Sequence, residues 1–134
     1  MLKIKIAFLI ALLYISIVKQ LESKLQSECV RWFDYQYPHL KMNLFSIPNE
    51  GARTPANGAR MKAQGRRAGV ADMFFAHSSY MSNGLFIEFK SEKGKQNDNQ
   101  KAFEKAVTTT GYKYVVINSL EQFKETIENY LNNG

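Results

Sequence analysis

Apolar residues return along this chain in two rhythms, and each predicts its own elements. Across residues 20–35, Leu21, Leu25, Cys29, Trp32 and Phe33 recur at three- and four-residue spacing, which predicts an amphipathic helix that stops before Pro38. Short apolar runs at residues 42–47 (MNLFSI), 70–76 (VADMFFA) and 85–90 (LFIEFK) predict strands. The first ends at Pro48 and a turn at Asn49-Glu50-Gly51, and the other two are joined across HSSYMSNG by a hairpin-like turn at Asn83-Gly84. Between them, residues 51–71 are rich in Gly, Ala and Arg and read as a loop, with a helical turn in ARMKAQGRRAG before Gly65 and Gly69 break it.

Helical spacing returns over residues 99–109, where Ala102, Phe103, Ala106 and Val107 share a face, and Gly111 closes the helix. A strand over residues 112–118 (YKYVVIN) and a helix over 120–131, apolar at Leu120, Phe123, Ile127, Tyr130 and Leu131, complete the pattern. The order helix, three strands, helix, strand, helix predicts an α/β domain: a mixed sheet of about four strands flanked by helices.

Residues 6–18 (IAFLIALLYISIV) fit neither rhythm. Lys3 and Lys5 before this run and Lys19 after it resemble the flanks of a signal sequence, but no small-residue cleavage motif follows. The run is also short against the roughly 20 apolar residues of a bilayer span. Residues 1–20 therefore read as a membrane anchor with Lys3 and Lys19 snorkelling, a helix packed on the domain, or an over-extended start, with the domain proper at 21–134.

Composition narrows the function classes. The 134 residues suit one domain, and 45% hydrophobic and 22% charged residues argue against a disordered or disulfide-scaffold chain. A lone Cys29 with only His39 and His77 offers no internal disulfide and no zinc cluster. The net charge of +6 suits a polyanionic partner. Arg53, Arg60, Lys62, Arg66 and Arg67 fall in residues 51–71 without an acidic residue, whereas residues 119–134 carry Glu121, Glu125 and Glu128 against Lys124. That basic run reads equally as a solvated loop or as a surface that tracks a phosphate backbone.

The candidate chemistry lies on the strand at 85–90. Glu88 and Lys90 are two apart and leave the same face, while Ile87 and Phe89 point into packing. Antiparallel pairing would bring Asp72, at the start of the neighbouring strand, near the end of this one. Two carboxylates, with the Phe89 carbonyl completing the shell, suit Mg²⁺, and Lys90 would face the reacting water. The bland alternative is a solvated E-x-K pair on an edge strand, with the aspartate capping a turn.

A series of motifs bears on that choice: ESKLQ at 22–26, Tyr37-Pro38 before the first strand, IPNEG-x-R at 47–53, QG-x3-GVAD ending at Asp72, LFIEFKSEKGK through Lys95, Gln100, and GYKYVVINSLEQF. Over roughly residues 22–131 the sequence resembles the VRR-NUC domain, a branch of the PD-(D/E)XK nuclease superfamily, of the phage and bacterial stand-alone type. Ala71 stands where that family usually has proline.

The resemblance implies a restriction-endonuclease-like core and a Mg²⁺- or Mn²⁺-dependent DNA endonuclease, selective for junctions, flaps or nicks and acting as a homodimer. It also implies that Glu22 and Gln100 join Asp72, Glu88 and Lys90 around a metal held by Asp72, Glu88 and Phe89. Glu28 competes with Glu22, and Gln100 could instead serve its helix, with Asp98 and Asn99 as alternative N-caps. Trp32, Phe33 and Tyr35 read as core, and His39 and His77 as ordinary polar residues. A cytoplasmic location is expected. The competing readings are a nucleic-acid-binding module that needs a partner for activity, and a membrane-anchored nuclease.

Overall fold

The computed structural model describes residues 1–49 and 54–133, so Glu50 and Gly51 of the expected turn and the basic residue Arg53 fall outside the described residues. Among the described residues, helix α1 (Leu2–Gln36) leads through a 3-10 helix (Pro38–Asn43) into strand β1 (Leu44–Ser46) and helix α2 (Pro55–Ala63). Strands β2 (Met73–Phe75) and β3 (Leu85–Phe89), helix α3 (Asp98–Thr109), strand β4 (Lys113–Ile117) and helix α4 (Leu120–Asn133) follow. The sheet order is β1-β2-β3-β4, with β1/β2 and β2/β3 antiparallel and β3/β4 parallel. This is the mixed four-stranded α/β sheet that the apolar rhythms predict.

One sheet face carries Met73, Phe75, Leu85, Ile87, Phe89 and Ile117, buried with Cys29 and Phe33 of α1 and Phe123, Ile127 and Tyr130 of α4. Full burial of each large apolar side chain contributes about 1.5–3 kcal/mol, so this layer is the main source of stability. Trp32 packs edge-on against Tyr37 and Phe123 as expected of core, but Tyr35 is 86% exposed and belongs to the surface. The other sheet face is covered by α3, whose Phe103 meets the edges of Phe86 and Tyr114. None of the α3 residues is fully buried, and Ala102 and Ala106 are exposed, so only part of the predicted apolar face is used.

Several boundaries differ from the sequence expectation. The β2–β3 connection turns at Ser79–Ser82, where Ser79 N–H donates to the Ser82 carbonyl, and Asn83 instead bonds the Gly111 carbonyl. An Asn-Gly pair needs strands abutting it to make a tight hairpin. Here nine residues separate the end of β2 at Phe75 from the start of β3 at Leu85. The helix in the basic segment starts earlier than expected because Thr54 caps it, accepting from Asn57 N–H, and Pro55 opens its first turn. Helix α1 is continuous from Leu2, and residues 1–17 are exposed throughout, so this segment is not packed on the domain.

Gly69 ties the basic segment to α3. Its φ of +84° lies in the left-handed region, and a Cβ there would collide with the backbone of Asn99 and Gln100. Gly65 has a φ of +103° but open space around it. Gly69→Ala should therefore lower stability by about 1–3 kcal/mol, and clearly more than Gly65→Ala, in thermal or urea unfolding. Equal losses at the two positions would show that the close approach to α3 carries no energy.

Candidate active site

Strand register sets the centre of the site. Met73 pairs with Ile87 across the antiparallel β2/β3 ladder, so continuing one residue places Asp72 opposite Glu88. The strand end is closed by a side chain: Phe89 N–H donates to Asp72 Oδ2 at 2.7 Å, while the Asp72 carbonyl accepts from Ile47 N–H. Asp72 thus takes a ladder donor that β2 is too short to satisfy. Ala71, the departure from the usual proline, is fully buried and provides no polar group.

Glu88 is only 4% exposed, on a strand flanked on both sides. That removes the reading of a solvated edge-strand pair. Its Oε1 accepts from Gln100 Nε2 at 2.8 Å and lies 3.8 Å from Lys90 Nζ, whose side chain is 14% exposed. Its Oε2 is buried with no N–H or O–H donor to accept from, and the neighbouring Asp72 carboxyl is close enough to share the Glu88 proton. Because Phe86, Glu88 and Lys90 share a strand face, one helix serves two of them: Phe103 of α3 packs on Phe86, and Gln100, three residues earlier, reaches Glu88.

Gln100 has both roles left open by the sequence. It sits at the third position of α3 in a capping box whose N-cap is Asn97, not Asp98 or Asn99: Asn97 Oδ1 accepts from Gln100 N–H at 2.9 Å, and Gln100 Oε1 accepts from Asn97 N–H at 3.0 Å. The cap fixes the side chain by its oxygen and leaves the amide nitrogen free to donate to Glu88.

Glu22 rather than Glu28 reaches the centre. Its Oε1 accepts from Ser91 N–H at 3.2 Å, whereas Glu28 pairs with Lys24 at 3.9 Å away from the site. Glu22, Asp72, Glu88, Phe89, Lys90 and Gln100 line one cavity of about 260 Å³, together with Lys19, Ser23 and Gln26. The Phe89 ring lies in the core against Phe123, so its backbone is the part that meets this cavity. Gln26 lies here as its four-residue spacing from Glu22 predicts, whereas Lys19 and Ser23 escaped the sequence reading, although Lys19 is three residues from Glu22 and so on its face.

The basic residues do not act alike. Arg60, Lys62 and Arg67 are exposed, but Arg66 is half-buried, with Nε donating to Asn49 Oδ1 at 3.2 Å and a second guanidinium nitrogen donating to the Asn49 carbonyl. Arg66 therefore pins its own segment, with part of its side chain still open to solvent. Lys62 and Arg66 line a larger groove of about 910 Å³ that also includes Gly69, Asn97 and Asn99, beside Gln100. Of the histidines, His39 is exposed and His77 stacks on Phe75, neither near this cavity.

Burial pushes the Glu88 carboxyl up to about 8; the Asp72 charge adds to the rise and Lys90 opposes it. Asp72 is also raised, first by burial, with the Phe89 N–H and Lys90 opposing and the Glu22 charge adding. Three carboxylates thus face two ammonium groups, Lys90 and Lys19, around one cavity. Among the described residues no three His, Cys, Asp or Glu side chains group as a complete metal cluster. The fitting donor set is smaller: Asp72 and Glu88, with the orphaned Glu88 Oε2 aimed at no protein donor and the Phe89 carbonyl and water to fill the rest. A hard cation that keeps several waters, such as Mg²⁺, matches that set.

The fold is thus a mixed four-stranded α/β sheet with an acid–lysine cluster at the ends of β2 and β3. The structure is similar to a solved VRR_NUC domain protein, with a TM-score of 0.73 and 22% identity, over 84% of this chain and 89% of that one. The likeness establishes the fold, the same one that the motif resemblance implies. No protein-family model matches the chain, and comparison with curated proteins finds no match.

The raised Glu88 gives a prediction without divalent cations. The folded chain holds this proton more tightly than the unfolded one, so the associated stability is complete below about 4.5 and is lost as pH rises through about 8. Across that window the wild type should lose stability relative to Glu88→Gln by on the order of a few kcal/mol in urea unfolding at successive pH values. Parallel profiles for the two proteins would contradict the burial of a reluctant carboxylate.

Proposed function

We propose that the chain is a divalent-cation-dependent DNA endonuclease that hydrolyses phosphodiester bonds at the Asp72–Glu88–Lys90 cluster. The observation that carries this reading is the buried Glu88 carboxylate with one oxygen unpartnered, opposite Asp72 and 3.8 Å from Lys90. Two carboxyls buried side by side next to one ammonium are costly to the fold unless they serve a further partner. Asp72, Glu88 and the Phe89 carbonyl would hold the cation, which when bound supplies Lewis acidity, activates water and offsets charge at phosphorus.

The remaining tasks fall to the chain's own groups. Lys90 places an ammonium at the cavity, where it orients the attacking water and stabilises the negative charge that builds on the phosphoryl oxygens. Gln100 holds Glu88 Oε1 and so fixes the orientation of the carboxyl. Glu22, fixed by Ser91 N–H, adds a third carboxylate that attracts the cation or accepts a proton from water. Lys62, which lines the groove that adjoins Gln100, and the exposed Arg60 and Arg67 of the same segment supply phosphate contacts that position the substrate without reading sequence.

Asp72→Asn and Glu88→Gln should keep the fold and bind DNA in Ca²⁺ but lose cleavage in Mg²⁺, assayed on a panel of branched and linear DNAs. Lys90→Ala should lower the cleavage rate by roughly 10²–10³-fold while leaving cation affinity nearly intact, because an ammonium is no ligand. Wild-type cleavage by Glu88→Gln would overturn the proposal. Alanine at Arg60, Lys62 and Arg67 together should flatten the salt dependence of DNA binding by about one unit of slope per lost contact. Unchanged slope would return these residues to plain solvated surface.

A further inference from the structure

We propose that the N-terminal part of α1 is seated in a lipid bilayer and holds the carboxylate cavity at the membrane surface. The helix runs unbroken from Leu2 to Gln36, yet its buried residues are Cys29 and Phe33, in its last quarter. Residues 1–17 are all exposed, among them Phe8, Leu9, Ile10, Leu12, Leu13 and Ile15. Successive residues of a helix point about a third of a turn apart, so these side chains cover every face. A groove on a protein partner covers one face of a helix; hydrocarbon covers all of them.

Charge and length agree with that occupant. Residues 6–18 contain no charged side chain, while Lys3 and Lys5 stand before them and Lys19 and Lys24 after them, placed to reach lipid headgroups from either end. The helix is long and apolar enough to cross a membrane by length and composition. Residues 6–18 span about 20 Å, and Leu2, Ile4 and the snorkelling lysines at either end extend that toward the roughly 30 Å of a hydrocarbon core.

The consequence for the site is geometric. Lys19, the first residue past the apolar run, and Glu22 both line the candidate cavity, and Glu22 lies about 6 Å along the axis from Val18. One rigid helix thus sets the distance between bilayer and cavity. This inference does not rest on the nuclease reading, since the seat in the bilayer is read without any cleavage assay.

The test is flotation of the full chain with phosphatidylcholine–phosphatidylglycerol vesicles on a density gradient, at low and high salt. The wild type should float under both conditions, at least tenfold more than Leu9→Asp/Leu13→Asp. Those positions are 63% and 61% exposed and contribute nothing to the core, so thermal unfolding of the domain serves as the control for folding. A fluorophore on Gln20→Cys should be quenched by headgroup-nitroxide lipid, the native Cys29 being fully buried and unlabelled. The proposal is overturned by release at high salt, equal flotation of the variant, absence of quenching, a vesicle-free assembly that buries the helix between copies, or removal of residues 1–18 from the chain isolated from cells.

Discussion

Placing a carboxylate on the central part of a sheet, with almost no exposed surface, is among the costlier choices open to a small domain. Desolvation alone raises Glu88 toward neutrality, and the neighbouring Asp72 charge raises it further. The features around it read as responses to that cost. Lys90 supplies opposite charge from the same strand face, Gln100 donates to one oxygen from α3, and the Phe89 N–H takes part of the charge of Asp72. The capping box that fixes Gln100 and the glycine that lets the basic segment touch α3 are one step further out in the same arrangement.

Compensation is incomplete in one direction only. Glu88 holds its proton up to about 8; once it ionises, three carboxylates face two ammonium groups and the cavity is short of positive charge. Under the proposed function a divalent cation would offset that charge, and the cost of burying the ionised carboxylate would appear as binding free energy for the ion.

Much of this was legible in residue spacing. The period of two along LFIEFK puts Glu88 and Lys90 together, and antiparallel pairing brings Asp72 to them, because both follow from local backbone geometry. Other features depend on tertiary contacts that no spacing encodes. Glu88 could have been solvated until the sheet order placed β3 between β2 and β4, and Arg66 looked free until its guanidinium met Asn49. The choice of Asn97 as N-cap turned on which of three adjacent polar residues met the Gln100 amide. Lys19 was read only as the end of an apolar run, although its three-residue spacing from Glu22 signals a shared helix face.

The central claim is that Asp72 and Glu88 hold one divalent cation between them. The most direct measurement is anomalous diffraction from crystals of the full chain soaked in Mn²⁺, a stand-in for Mg²⁺ with a usable signal. The account predicts a peak in the cavity bounded by Asp72, Glu88 and the Phe89 carbonyl, lost in Glu88→Gln. Crystals that bind Mn²⁺ elsewhere and leave this cavity without a peak would contradict it.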